Sequence, residues 1–164
     1  MLFYEIFEIE PRLQLDAAEL QKRFYELSRR YHPDRNPANA DKSALLNDAF
    51  RTLRNPVSRA EYFLRENGVT LNAGQPPPEL LEEVFEFNLA VEEADAAELE
   101  KFRERFSRML TELDAALGTA FEQCDRSPGP QALQTIASLL HRRKYLSNLV
   151  GAIDKTASNG HLSN

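Results

Sequence analysis

A single cysteine among 164 residues, Cys124, excludes an intramolecular disulfide and any multi-cysteine zinc or iron–sulfur site within one chain. Tryptophan is absent and there are only six glycines, while Ala, Leu, Glu and Arg abound, a composition that favours helices. No apolar run is long enough to cross a bilayer, and Phe3, Tyr4, Ile6, Phe7 and Ile9 are interrupted by Glu5 and Glu8 with no basic segment before them. Neither an export signal nor a membrane span is expected, and a reducing cytoplasm is the simpler location. A Gly-rich phosphate loop and a nucleophile elbow are also missing, so no catalytic residue suggests itself.

Charge is unevenly placed. Residues 1–66 hold eleven Lys and Arg against eleven Asp and Glu, whereas residues 67–164 hold nine against fifteen, so the net charge of −6 belongs to the second half. An acidic chain offers no broad surface for nucleic acid. Its one local basic cluster lies between residues 16 and 31 and suits an acidic protein surface better.

That cluster rides on a helix with clear signals. Asp16 is a fitting N-cap with Glu19 three positions on, and Leu15 and Leu20 stand where a hydrophobic staple would put them. Leu20, Phe24, Leu27 and Tyr31 recur at helical spacing, which leaves Lys22, Arg23, Tyr25, Glu26, Arg29 and Arg30 elsewhere around the helix. Pro33 disfavours helical geometry at His32 and ends the ladder. Pro37, capped by Asn36, opens a second helix with the stripe Leu46, Ala49, Phe50 and Leu53. Two helices joined by a short loop pair antiparallel, which puts His32 to Asn36 at an exposed tip.

Tyr31-His32-Pro33-Asp34-Arg35 after a basic helix resembles the signature of a J-domain. The downstream residues Leu46-Asn47-Asp48-Ala49-Phe50-Arg51-Thr52-Leu53, Pro56 and Arg59-Ala60-Glu61-Tyr62 stand in the same register. The expected architecture is all-α: a J-domain over 1–66, a proline-containing linker over 67–78, a three-helix bundle over 79–157 and a flexible tail over 158–164. Asn67-Gly68 stops a helix, and Gly74-Gln75-Pro76-Pro77-Pro78 reads as a stiff spacer. The bundle helices are expected at about 79–93, 95–124 and 130–157.

The helix after the prolines carries two apolar stripes. At 100° per residue, Leu80, Val84, Phe87 and Val91 fall together as a core stripe. Leu81, Phe85 and Leu89 fall about 100° to 180° away and make a second stripe, flanked by Glu82, Glu86, Glu92 and Glu93. That stripe is either buried on a second side of the bundle or a face for a partner.

A short J-domain, a proline-containing linker and an acidic three-helix bundle together resemble the HscB family of iron–sulfur co-chaperones. The opening Phe3-Tyr4-Glu5-Ile6-Phe7, Pro11, Leu15-Asp16, Leu53-Arg54-Asn55-Pro56 and Arg59-Ala60-Glu61-Tyr62-Phe63-Leu64 are similar too. The resemblance implies a protein that is not an enzyme. It would bring the iron–sulfur scaffold protein IscU to the DnaK-type chaperone HscA and stimulate that chaperone's ATPase. It implies a chaperone-binding set of His32, Pro33 and Asp34 with Lys22, Arg23, Tyr25, Arg29, Arg30 and Arg35. It implies a scaffold-binding set of Leu81, Phe85, Glu86 and Leu89, with Tyr145 from the last helix. The family commonly has Met-Glu and Arg-Glu-Glu where this chain has Phe85-Glu86 and Asn88-Leu89-Ala90, so affinity and partner choice could differ.

No cofactor, metal, nucleic acid or membrane partner is expected, and the chain reads as a monomer or weak homo-oligomer. His32 lacks a second His, Cys or carboxylate cluster at ligand spacing. His141 reads as a solvated or half-buried side chain in a basic run, His161 as part of the tail, and Cys124 as a small apolar residue. Two rival readings stay open: a general DnaK-type co-chaperone with another client, and a plain helical adaptor without chaperone function.

Overall fold

The computed structural model describes residues 1–71, 74–93 and 95–161, and among them there are helices and turns but no strand. Seven α-helices follow in order: α1 Leu2–Ile6, α2 Ala17–Arg30, α3 Ala40–Leu53, α4 Pro56–Glu66, α5 Leu81–Glu93, α6 Ala96–Arg126 and α7 Pro130–His161. Short 3₁₀ turns at Pro37–Asn39 and Pro78–Leu80 lead into α3 and α5.

The boundaries have local chemical causes. Asp16 Oδ1 accepts the Glu19 N–H at 3.0 Å and starts α2, and Asn55 Oδ1 accepts the Val57 and Ser58 N–H groups at 2.9 and 3.3 Å and starts α4. Asn36 caps the 3₁₀ turn in the same way, through the Ala38 N–H at 3.0 Å. At the end of α4, Gly68 sits at φ +75°; its N–H reaches the Arg65 carbonyl and the Val69 N–H reaches the Leu64 carbonyl. This pair of bonds is a Schellman motif, whose left-handed position favours glycine. The same motif ends α1, but there Glu8 occupies the left-handed position, at φ +58°, with its N–H on Glu5 and the Ile9 N–H on Tyr4. A side chain in that conformation costs about 1–2 kcal/mol relative to glycine.

The chain forms two compact units. The first comprises residues Met1–Thr70 and also Phe121–Gln134, the end of α6 and the start of α7. Within it α1, α2 and α4 each pack against α3. Leu20, Leu27, Leu46, Ala49 and Leu53 are buried, and Phe24 stacks on Phe50 with ring centroids 4.1 Å apart. Tyr4, Phe7 and Leu13 are fully buried. One cation lies inside this core: Arg59, 6% exposed, donates from Nε to the Leu13 carbonyl and from a terminal nitrogen to the Leu53 carbonyl, both at 2.7 Å. Burial pushes its pKa down.

The second unit comprises residues 71–120 and the chain from Thr135 on. Phe87 of α5 meets Phe102 and Phe106 of α6 edge-on, at 5.8 and 5.7 Å. Arg103 pairs with Asp154 and Asp114 with Arg143, at 2.8 and 2.7 Å. Eleven residues forward along α6 thus match eleven backward along α7, so the two helices run antiparallel. The proline-rich stretch expected as a stiff spacer is anchored within this unit: Pro77 is fully buried, and His141 Nε2 on α7 donates to the Gln75 carbonyl at 2.8 Å. A carbonyl draws this half-exposed histidine to the segment before α5. Helix α7 continues through His161, beyond residue 158 where a flexible tail was expected to begin; residues 162–164 of that tail lie outside the described residues.

Candidate functional site

The His-Pro-Asp segment is a β-turn. The Arg35 N–H bonds the His32 carbonyl at 3.0 Å, which places Pro33 and Asp34 at the two central positions, and Pro33 pre-sets the first of these. The Asp34 N–H donates to His32 Nδ1 at 3.2 Å, and the Asp34 carboxylate lies 3.5 Å from the same nitrogen. The turn faces outward: 57% of the His32 side chain and 92% of the Asp34 side chain are exposed. Lys42 of α3 places its ammonium 5.3 Å from the Tyr31 ring centroid and ties the end of α2 to α3.

Below the turn, Tyr25, Ser28, Arg29 and His32 line a shallow, open, mostly apolar depression on α2. The basic residues of α2 fall into two groups. Lys22 and Arg29 are exposed and form no ion pair among the described residues. Arg23 and Arg30 are engaged with the end of α1. One Arg23 nitrogen donates to the Phe7 and Glu8 carbonyls at 2.9 and 3.0 Å, and Arg30 pairs with the Glu8 carboxylate at 3.2 Å. Arg35 is exposed beside the turn.

On the second unit, α5 presents an apolar ridge. Leu81, Phe85 and Leu89 are 54%, 66% and 48% exposed, while Leu80, Val84, Phe87 and Ala90 are buried. Val91, expected in the core stripe, is 40% exposed. The buried face rotates from Val84 through Phe87 to Ala90 along the helix, and this leaves Val91 outside in the last turn. Arg105 of α6 reaches Glu86 at 3.3 Å and Glu83 at 3.6 Å, so the acidic flank on that side is fastened to α6. Tyr145 stands half-buried on α7, beside the fully buried Leu146.

Sequence reasoning missed the structural cations Arg59 and Arg105. At 100° per residue Arg59 falls between Tyr62 and Phe63 on α4, and that was the available sign for it; nothing local marks Arg105. Cys124 is buried, and burial raises its pKa, so its thiol is held in the unreactive form. Among the described residues no group of three His, Cys, Asp or Glu side chains could hold a metal, and no helix is long and apolar enough to cross a membrane.

An exposed His-Pro-Asp turn between two paired helices, preceded by a basic helix, defines a J-domain protein, and comparison with known proteins agrees. Residues 2–62 match the model of the DnaJ domain, and residues 76–154 match that of the HSCB C-terminal oligomerisation domain. The chain belongs to the HscB family of J-domain co-chaperones. It is 33% identical to a co-chaperone protein HscB homolog of Vibrio vulnificus, over 94% of this chain and 95% of that protein. It is 36% identical to the homolog of Photobacterium profundum, over 75% and 79%. Chaperone HscB from Vibrio cholerae superposes with a TM-score of 0.67 at 25% identity, covering 97% of this chain and 99% of that one. Human co-chaperone HscB shares the fold, with a TM-score of 0.70 at 24% identity over 94% and 81%.

Proposed function

We propose that the chain brings the iron–sulfur scaffold protein IscU to the DnaK-type chaperone HscA in the cytoplasm and stimulates that chaperone's ATPase during cluster assembly. In this reading the basic surface of α2 steers the encounter with an acidic surface on the chaperone. The His32-Pro33-Asp34 turn then makes a specific contact that favours the hydrolysis-competent state of the chaperone. Such a shift requires that the turn bind that state more tightly than the other. Lys22, Arg29 and Arg35 are docking cations without an ion pair among the described residues, Tyr25 is exposed beside them, and Arg23 and Arg30 are engaged with the end of α1.

The client would be held on α5. The observation that carries this part is the ridge itself: three large apolar side chains stand exposed on one side of a helix while Val84, Phe87 and Ala90 are buried on another. Such a ridge gains by burial against an apolar groove. Glu86, oriented by Arg105, adds a charged margin, and Tyr145 is the contribution proposed from α7.

Two measurements on the full chain test the reading. The ATPase of the chaperone is followed with and without the protein, and the scaffold protein is titrated into it by calorimetry. Stimulation that is lost in His32→Gln, together with saturable scaffold binding, supports it. Stimulation without scaffold binding would leave a J-domain co-chaperone serving another client.

A further inference from the structure

We propose that Glu8 limits the strength of chaperone docking by withholding Arg30 from the docking surface. The inference rests on the reading of α2 as the docking helix. Three observations meet at this residue. Its backbone is left-handed, at φ +58°, in a Schellman motif where Gly68 fills the equivalent place at the end of α4. Its carboxylate lies 3.2 Å from Arg30, and its carbonyl shares an Arg23 nitrogen with that of Phe7. The pair is open to solvent, with 57% of the Arg30 side chain and 55% of the Glu8 side chain exposed.

Glycine would satisfy the turn without strain and would leave the Arg23 bonds intact, because these fall on main-chain oxygens. The fold alone therefore does not call for glutamate. What the side chain adds is a carboxylate on the edge of the basic surface, where an acidic partner would otherwise meet Arg30. A partner carboxylate that approaches the nitrogen facing Glu8 must compete with Glu8 for it, and Glu8 already offsets part of the charge that the guanidinium presents. Lys22 and Arg29 carry no such internal competitor among the described residues. The working cations of docking are thus Lys22 and Arg29 of α2 with Arg35 beside the turn, and Arg30 is held in reserve. A partially masked basic face keeps the encounter weak enough to reverse in each chaperone cycle.

The test uses the full chain and the ATP-loaded DnaK-type chaperone, reading the concentration of half-maximal ATPase stimulation. Glu8→Gln and Glu8→Gly are expected to lower it by about two- to fivefold, the range of an exposed ion pair, at about 0.05 M salt. The gain should shrink at about 0.5 M salt. Arg30→Ala should cost little in the natural background and as much as Arg29→Ala once Glu8→Gln is present. An equal effect of Arg30→Ala in both backgrounds would mean that Glu8 acts only through bulk charge, and unchanged or weakened docking in both Glu8 variants overturns the proposal outright. Failure of the natural chain itself to stimulate the ATPase, with His32→Gln indistinguishable from it, is a separate result. It removes the docking reading, and the role of Glu8 falls with it.

Discussion

The carboxylate of Asp125, near the end of α6, accepts the main-chain N–H groups of Leu13 and Gln14 through its two oxygens, at 2.9 and 3.0 Å. The segment it holds is fastened from two further sides, because Tyr4 donates its hydroxyl to the Arg12 carbonyl and Arg59 reaches the Leu13 carbonyl, both at 2.7 Å. The residues before α2 therefore owe their place to a helix more than a hundred positions away. The first compact unit is a composite of residues 1–70 and 121–134, not a free-standing N-terminal stretch.

Removing that carboxylate should destabilise the first unit. Hydrogen bonds to charged groups contribute about 1.5–3 kcal/mol, so Asp125→Ala should cost about 2–3 kcal/mol and Asp125→Asn, which keeps one acceptor, roughly half of that. Urea denaturation of the full chain checks this. A loss below about 0.5 kcal/mol would show that the Leu13 and Gln14 N–H groups do as well with water.

Alkaline pH should unfold the protein earlier than its charge alone suggests. Burial raises the pKa of Cys124 above its ordinary 9.0, and the pKa values of Tyr4 and Tyr62 above their ordinary 10.0. All three groups bind their protons more tightly when folded. Their contribution is complete below those ordinary values and is lost as pH rises beyond them, at about 1.4 kcal/mol per pH unit for each proton by which the states differ. Arg59 shifts the opposite way, because burial lowers its pKa from the ordinary guanidinium range. Thermal midpoints should hold level from neutral pH to about 9 and then fall. Cys124→Ala should move the onset to about 10, and midpoints that stay level to pH 11 would contradict the assignment.

What the sequence reveals and what it hides divide along contact range. The caps at Asp16 and Asn36 and the stop at Gly68 are local chemistry, and each stands where residue type and spacing indicate. The separate stripe of Leu81, Phe85 and Leu89 follows from helical period, but whether it is covered depends on neighbouring helices that the pattern does not contain. Val91 leaves its expected stripe for the same reason, since the buried face of α5 turns along its length. Arg59, Asp125 and Arg105 find their partners 46, 112 and 19 residues away. Glu8 gives no local sign of its left-handed backbone, because the residue that usually reports one is glycine.

His32 should be separable from stability. It is exposed, and among the described residues its ring makes polar contacts only with Asp34 within the turn, through the Asp34 N–H and carboxylate. His32→Gln should change unfolding free energy by less than about 0.5 kcal/mol, as expected of an exposed site, while ATPase stimulation is lost. If the variant unfolds early, His32 supports the turn and its effect on the chaperone says nothing about contact.

The ridge on α5 offers the sharpest separation of binding from folding. Phe85 is 66% exposed and Leu81 54%, so truncation to alanine removes little packing. Phe85→Ala and Leu81→Ala should each leave the urea midpoint nearly unchanged, yet weaken scaffold binding by about tenfold or more, the loss typical of a central interface anchor. Phe87→Ala, on the opposite face and buried against Phe102 and Phe106, should do the reverse and cost about 3–5 kcal/mol of stability. Arg105→Ala tests the margin, since it frees Glu86 without touching an apolar side chain and should weaken binding only a few-fold. Scaffold binding that survives in both Phe85→Ala and Leu81→Ala would place the client elsewhere on the second unit and leave the exposed stripe without a partner.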